Sequence, residues 1–115
     1  MIGGEAERAL RARAGELDEM LARLDRDEES IRVDRADATA DDEHDPEGST
    51  LSGEWQRVEA LRRAARAERA DVDAALQRVA DGSYGVCASC GRPIPPARLE
   101  ARPMATLCVA CAQRA

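Results

Sequence analysis

The sequence has few aromatic residues and no lysine. Its 115 residues include one Trp, one Tyr and no Phe, so aromatic residues make up 2% of the chain, whereas charged residues make up 35%. This composition excludes a large hydrophobic core and is typical of long exposed helices or of disorder. A chain of this kind gains folding free energy when it binds a metal ion.

Long apolar runs are also missing. No stretch approaches the roughly 20 apolar residues that a membrane-spanning helix needs. Residues 1–30 are charged throughout and do not have the apolar segment of a secretory signal peptide. We therefore expect a soluble, cytoplasmic protein that makes no contact with a membrane.

The chain does contain two Cys-x-x-Cys pairs, and these are its four cysteines. The spacing is that of a tetrahedral four-thiolate site, because each short gap allows two sulfurs to reach one ion. We predict that Zn²⁺ is bound by Cys87, Cys90, Cys108 and Cys111. Two disulfides or a redox-active pair are the alternatives. The lack of a signal peptide argues against the first, and the lack of a βαβ pattern argues against the second.

Residue patterns of a catalytic site are absent from the sequence. It has no Gly-rich phosphate-binding loop and no nucleophile next to a base, and the cysteines are assigned to the metal. Its clustered carboxylates have no apolar surroundings that would shift their pKa values. We expect a protein that is not an enzyme.

Apolar residues recur on alternating three- and four-residue steps in two stretches, which predicts a coiled coil. The first helix is expected from residue 5 to about residue 35, and the second from about residue 50 to Asp81, where Gly82 follows as the C′ residue. Glu28, Arg62 and Arg69 interrupt the apolar seam. The predicted seam positions are Leu10, Ala14, Leu17, Leu21, Leu24, Ile31, Leu51, Trp55, Val58, Ala65, Val72, Leu76 and Val79, with Leu61 and Ala75 beside them.

Two seams of similar length on either side of a short connection predict an antiparallel hairpin in a monomer. A homodimer of long continuous helices is the alternative, and Pro46 and Gly48 argue against it. The predicted fold is therefore mainly α, an antiparallel two-helix coiled-coil hairpin over residues 1–81 with a C-terminal four-cysteine zinc finger over residues 82–115.

The connection is acidic from about residue 34 to residue 50. Such a run forms either a solvated loop or a tip that places carboxylates in the cleft of a partner protein. The candidate residues of this acidic tip are Asp41, Asp42, Asp45 and Glu47. The acidic excess of residues 1–81 is repelled by phosphates, so we expect no direct sequence-specific binding of DNA.

The C-terminal third resembles the DksA/TraR family of bacterial transcription factors. The matching segments are residues 81–91 (DGSYGVCASCG), 93–95 (PIP), 98–103 (RLEARP) and 107–111 (LCVAC). The resemblance implies a C4-type zinc finger and a coiled coil that enters the secondary channel of RNA polymerase. The acidic tip then lies near the catalytic magnesium ion and modulates transcription.

The sequence departs from the family at several positions. Gly48 stands where the second Asp of the family tip is expected, and Ala64, Asp71 and Ala112 stand where members that respond to the alarmone ppGpp have basic side chains. The alternative function is that of a zinc-stapled coiled-coil adaptor for a different protein partner.

Overall fold

The computed structural model describes residues 2–41 and 46–115, with side chains for residues 4–37 and 52–115. It contains helices α1 (Ile2–Asp41), α2 (Pro46–Asp81), α3 (Pro96–Ala101) and α4 (Val109–Arg114). Over these residues the extended structure consists of one antiparallel bridge between Val86 and Pro93. The predicted mainly α fold is confirmed. In the same residues, no helix has the length and apolarity to cross a membrane.

Both long helices extend further than the sequence predicts. The apolar repeat of the first helix stops at Ile31, yet α1 continues to Asp41 because the residues that follow include several Ala, which favours helix. The second helix begins at Pro46, a residue that is tolerated in the first turn because it needs no hydrogen-bonded N–H there. The predicted bounds near residues 35 and 50 are therefore wrong.

The structure leaves the acidic tip untested. Asp42 and Asp45 lie outside the described residues, and so do the side chains of Asp41 and Glu47, although their backbones belong to α1 and α2.

The chain forms two compact units. Unit 1 combines residues Met1–Glu16 with Arg69–Ala115, and unit 2 consists of Leu17–Glu68. Both units contain segments of α1 and α2. The sequence-based division at residues 81 and 82 remains a prediction.

In unit 2 the two helix segments pack against each other through the predicted seam. Leu24, Ile31 and Val58 form a buried cluster, with Met20 and Trp55 packed against it. Only residues 42–45 connect the two helices, and a connection of this length requires an antiparallel pair. The predicted coiled-coil hairpin is confirmed.

Two of the polar interruptions of the seam, Glu28 and Arg62, pair with each other. Arg62 is 13% exposed and donates from Nε to Asp25 Oδ1 at 2.9 Å. Its Nη1 contacts Glu59 Oε2 at 2.9 Å and also contacts Glu28. Because a largely buried guanidinium needs such partners, this level of the seam is polar. Leu61, predicted to widen the apolar stripe, is 48% exposed, so that prediction is wrong.

Unit 1 contains the other part of the seam. Leu10 and Ala14 of α1 are buried, as are Val72 and Ala75 of α2, and Val72 and Ala75 have no exposed surface. Ala75 therefore lies at the centre of the seam, where the sequence placed it only at the margin.

The end of α2 directs the chain into the C-terminal region. Gly82 has a φ of 84°, which a residue with a side chain rarely adopts. The amides of Ser83 and Tyr84 both donate to the carbonyl oxygen of Arg78, at 3.0 and 3.1 Å. These bonds satisfy the end of the helix as in a Schellman motif, and they confirm Gly82 as the C′ residue.

Candidate metal centre

The two Cys-x-x-Cys pairs come together in unit 1. The Sγ atoms of Cys87, Cys90, Cys108 and Cys111 all lie within 4.8 Å of one another. Four thiolates around Zn²⁺ at about 2.3 Å are about 3.8 Å apart in a tetrahedron. The Sγ atoms of Cys90 and Cys108 are 3.9 Å apart, which matches this spacing and is too long for a disulfide bond. The arrangement therefore fits zinc.

The first cysteine pair lies in a tight turn built on glycine. Gly85 and Gly91, on either side of the pair, have φ values of 83° and 75°. The amide of Gly91 donates to the Cys87 carbonyl oxygen at 2.9 Å, and the amide of Cys90 points at Cys87 Sγ at 3.5 Å. The two glycines allow the turn to direct backbone N–H groups toward a sulfur.

The second pair begins a short helix. Cys108 immediately precedes α4, and the first-turn amide of Ala112 donates to the Cys108 carbonyl oxygen at 2.9 Å. Ala88, between the first two cysteines, donates its amide to Thr106 at 2.8 Å. This bond holds the two cysteine turns side by side.

The cysteines also form the core of this region. Cys87 and Cys111 are buried with Ile94 and Leu99, and Tyr84 is among the residues that pack on them. At Gly85 a Cβ would lie 3.3 Å from Leu99 Cδ1, so the absence of a side chain there allows close packing.

Two hydrogen bonds in this region were not predicted. Arg98 donates from Nε to the Leu107 carbonyl oxygen at 2.7 Å, and the Tyr84 hydroxyl donates to the Pro103 carbonyl oxygen at 2.8 Å. Neither hydrogen bond follows from a periodic pattern. The only indication of them in the sequence is that the residues lie in the segments that resemble the DksA/TraR family.

Hydrogen bonds shift the cysteine pKa values in opposite directions. Bonds from the amides of Cys90 and Cys108 lower the pKa of Cys87 to about 6. The amide of Cys111 lowers the pKa of Cys108. The pKa of Cys111 is raised to about 11, chiefly by its side-chain hydrogen bond with Cys108. A divalent cation favours the thiolate form of every cysteine that it contacts. With such an ion bound, the pKa values of all four cysteines are therefore shifted in the same direction, downward.

Comparison with known proteins agrees with this geometry. Residues 82–115 match the family described as the prokaryotic DksA/TraR C4-type zinc finger. Residues 82–115 are therefore similar to the zinc fingers of this family. The finger binds zinc, since a C4-type family and four clustered cysteines coincide in it.

Relatives of the DksA/TraR finger include two proteins named RNA polymerase-binding transcription factor DksA. The one from Caulobacter vibrioides is 58% identical over 43 residues, which are 37% of this chain and 30% of the relative. The one from Escherichia coli K12 is 48% identical over 40 residues, which are 35% of this chain and 26% of the relative. The matched region thus spans less than a third of either relative.

The likeness in fold extends beyond the DksA/TraR finger. The structure of transcription factor DksA2 from Pseudomonas aeruginosa superposes with a TM-score of 0.84 and covers 98% of this chain and 81% of its own. Because the sequence identity is 23%, this comparison establishes a shared fold.

Proposed function

We propose that Cys87, Cys90, Cys108 and Cys111 each supply one thiolate to a single structural Zn²⁺. Their mutual distances of at most 4.8 Å support this assignment. Four protein ligands leave no open position for water or substrate, so the ion contributes to folding and not to chemistry. We also propose that the chain has no enzymatic activity.

We propose further that the protein modulates transcription by binding RNA polymerase through its secondary channel. The observation that carries this proposal is the DksA/TraR finger of residues 82–115, whose relatives are named for RNA polymerase binding. The fold shared with DksA2 over 98% of the chain supports the same function for the coiled coil. The protein then acts in the cytoplasm as a monomer, without sequence-specific contact with DNA.

The acidic tip is proposed to carry the effect on transcription. In the sequence, the candidate residues Asp41, Asp42, Asp45 and Glu47 fall between the last residue of α1 and the second residue of α2. Exposed carboxylates are largely screened in solution and bury little surface, so they contribute little to affinity. Near a bound Mg²⁺ inside a channel, one carboxylate changes the local electrostatic potential substantially. Removing a tip carboxylate is therefore expected to change the effect on transcription much more than the affinity for RNA polymerase.

Asp45→Asn tests this separation, because it keeps the side-chain shape and removes only the charge. We expect the variant to bind core RNA polymerase nearly as well as the parent in a competition assay, but to lose most of its effect on open-complex lifetime. Asp42→Asn and Glu47→Gln are expected to act in the same direction more weakly. Asp27→Asn, which removes an exposed carboxylate from α1 outside the tip, is the matched control.

Two results would contradict the proposal at different points. An unchanged effect of Asp45→Asn on open-complex lifetime would make the tip a solvated loop. Failure of the parent protein to bind core polymerase would remove the polymerase function and favour an adaptor for another protein.

A further inference from the structure

Unit 1 contains an apolar groove that the zinc site does not use. It has a volume of about 200 Å³ and lies between the first turns of α1 and the zinc finger. Pockets for drug-sized ligands run from about 300 to 1,000 Å³, so this groove suits one large side chain better than a cofactor. Its apolar lining consists of Ala6, Ala9, Tyr84, Pro96, Leu99 and Pro103.

The walls of the groove are fixed by contacts already described. Leu99 is 5% exposed and belongs to the buried cluster of the finger. The Tyr84 hydroxyl is occupied by its 2.8 Å bond to the Pro103 carbonyl oxygen, so its ring, and not a free donor, is available to a ligand. On the α1 side Ala6 and Ala9 have small side chains, which keeps the groove open. Recognition in it must therefore be apolar.

Two carboxylates border this apolar surface. Glu5 of α1 and Glu100 of α3 line the groove and are exposed. Among the residues that the structure describes, neither forms an ion pair, whereas nearby Glu7 pairs with Arg11 at 2.8 Å. Two unpaired negative charges beside an apolar cavity are complementary to an apolar side chain that has Arg or Lys next to it.

We propose that this groove is a docking site for a segment of a protein partner that presents one large apolar side chain flanked by a basic residue. The proposal rests on the proposed function, because RNA polymerase is taken as the partner that supplies the segment. The groove adds an anchor at the finger end of the molecule, which is separate from the acidic tip. A large side chain that fills a small, desolvated pocket is characteristic of an interface hot spot, and interface rims are polar.

Ala9→Trp tests the proposal by filling the groove from the α1 side. Because the added side chain prevents burial of the partner's apolar side chain, we expect the affinity for core RNA polymerase to fall at least about tenfold. Ala12→Trp adds the same side chain to an exposed position of α1 that does not line the groove, and it should leave the affinity unchanged. Zinc content and circular dichroism establish that both variants are folded.

The double variant Glu5→Gln/Glu100→Gln tests the charged rim without adding volume. We expect a smaller loss of affinity and a weaker dependence of that affinity on salt, because two attractive charges are removed. Glu7→Gln makes the same change on α1 outside the groove. We expect a negligible loss of affinity for polymerase in this variant, since exposed ion pairs contribute little.

The possible results separate the two proposals. If the parent binds polymerase and both Ala9→Trp and the double Gln variant bind equally well, the groove is not a docking site and the polymerase function stands. If the parent does not bind polymerase, the polymerase function fails and the groove loses this partner with it. A tenfold loss restricted to Ala9→Trp, with a weaker salt dependence in the double Gln variant, establishes the groove.

Discussion

Cys90 differs from the other cysteines of the finger because its side chain is exposed, whereas Cys87 and Cys111 are buried. Replacing it removes a metal ligand with little loss of packing. Binding of structural zinc contributes about 10–16 kcal/mol in zinc-finger peptides, and a serine hydroxyl is a poor substitute for a thiolate. We expect Cys90→Ser to lose most of its zinc and the ordered finger, while helix content stays high because the seam does not depend on metal.

Metal analysis of protein purified under reducing conditions, together with circular dichroism, measures both effects. Ala88→Ser places a hydroxyl in the same turn and retains all four thiols, so it should bind one zinc ion per chain. Full zinc content in Cys90→Ser would contradict the four-cysteine assignment.

Tyr84 provides a pH-dependent test, because it is the only tyrosine in the chain. Burial raises the pKa of its hydroxyl, and the charge of Arg78 opposes this only in part. The unfolded chain therefore releases the Tyr84 proton at a lower pH than the folded chain does. The stability that comes from the neutral, bonded hydroxyl is fully present below about pH 10 and is lost as the pH rises through the folded-state pKa.

Ultraviolet absorbance of tyrosinate measures this difference directly. The titration midpoint of the native protein should lie above that of the same protein in guanidinium chloride. Coincident midpoints would mean that the Tyr84 hydroxyl is solvated and does not hold Pro103.

At the scale of the helices, two leucines of unit 2 offer a matched pair. Leu17 of α1 has no exposed surface, whereas Leu61 of α2 is 48% exposed. Leu17→Ala removes buried methyl groups and leaves a cavity, so we expect it to lower the free energy of unfolding by about 2–5 kcal/mol. Leu61→Ala makes the same chemical change at the surface and should alter it by less than about 0.5 kcal/mol. Urea denaturation measures the free energy of unfolding of both variants. Equal losses of this free energy in Leu17→Ala and Leu61→Ala would contradict the assignment of Leu17 to the core and Leu61 to the surface.

The sequence predicted the long helices and most of the seam because a 3.5-residue repeat is a local pattern. The prediction for Leu61 was wrong because a repeat along one helix does not show which side chains of the two helices contact each other. Arg62 occupies the seam at this level through its contacts with Asp25 and Glu28, and the neighbouring Leu61 is left at the surface. The bound near residue 35 failed because Ala favours a helix without extending an apolar repeat, and the bound near residue 50 failed because Pro is tolerated in the first turn of a helix.

The candidate metal site was predictable to a similar extent. Two Cys-x-x-Cys pairs carry their chemistry in their spacing, so the grouping of the four sulfurs followed from the sequence. The bonds from Arg98 to Leu107 and from Tyr84 to Pro103 join loops whose mutual placement has no periodic signal. They appear only when the backbone is folded.

At the scale of the whole molecule, we expect a monomer of 12.4 kDa in sedimentation equilibrium. The seam residues Leu10, Leu17 and Val72 are already buried within one chain. The exposed large apolar residues of the described part are Val33, Leu61, Val86 and Val109, which belong to four separate segments. A net charge of −6 also opposes association of like chains. A mass twice this value at micromolar concentration would favour the alternative of a coiled-coil homodimer.

The composition of unit 1 from Met1–Glu16 and Arg69–Ala115 has a consequence for biosynthesis. Unit 2 is complete in sequence as soon as Glu68 has left the ribosome, so its hairpin is free to form during translation. Leu10, which is 1% exposed in the folded protein, belongs to unit 1, whose second segment is translated only after unit 2. The ribosome must release Cys111 before the fourth thiol can reach the metal. We expect the hairpin of unit 2 to form first and zinc capture to follow once Cys111 has been translated, because contacts distant in sequence form slowly.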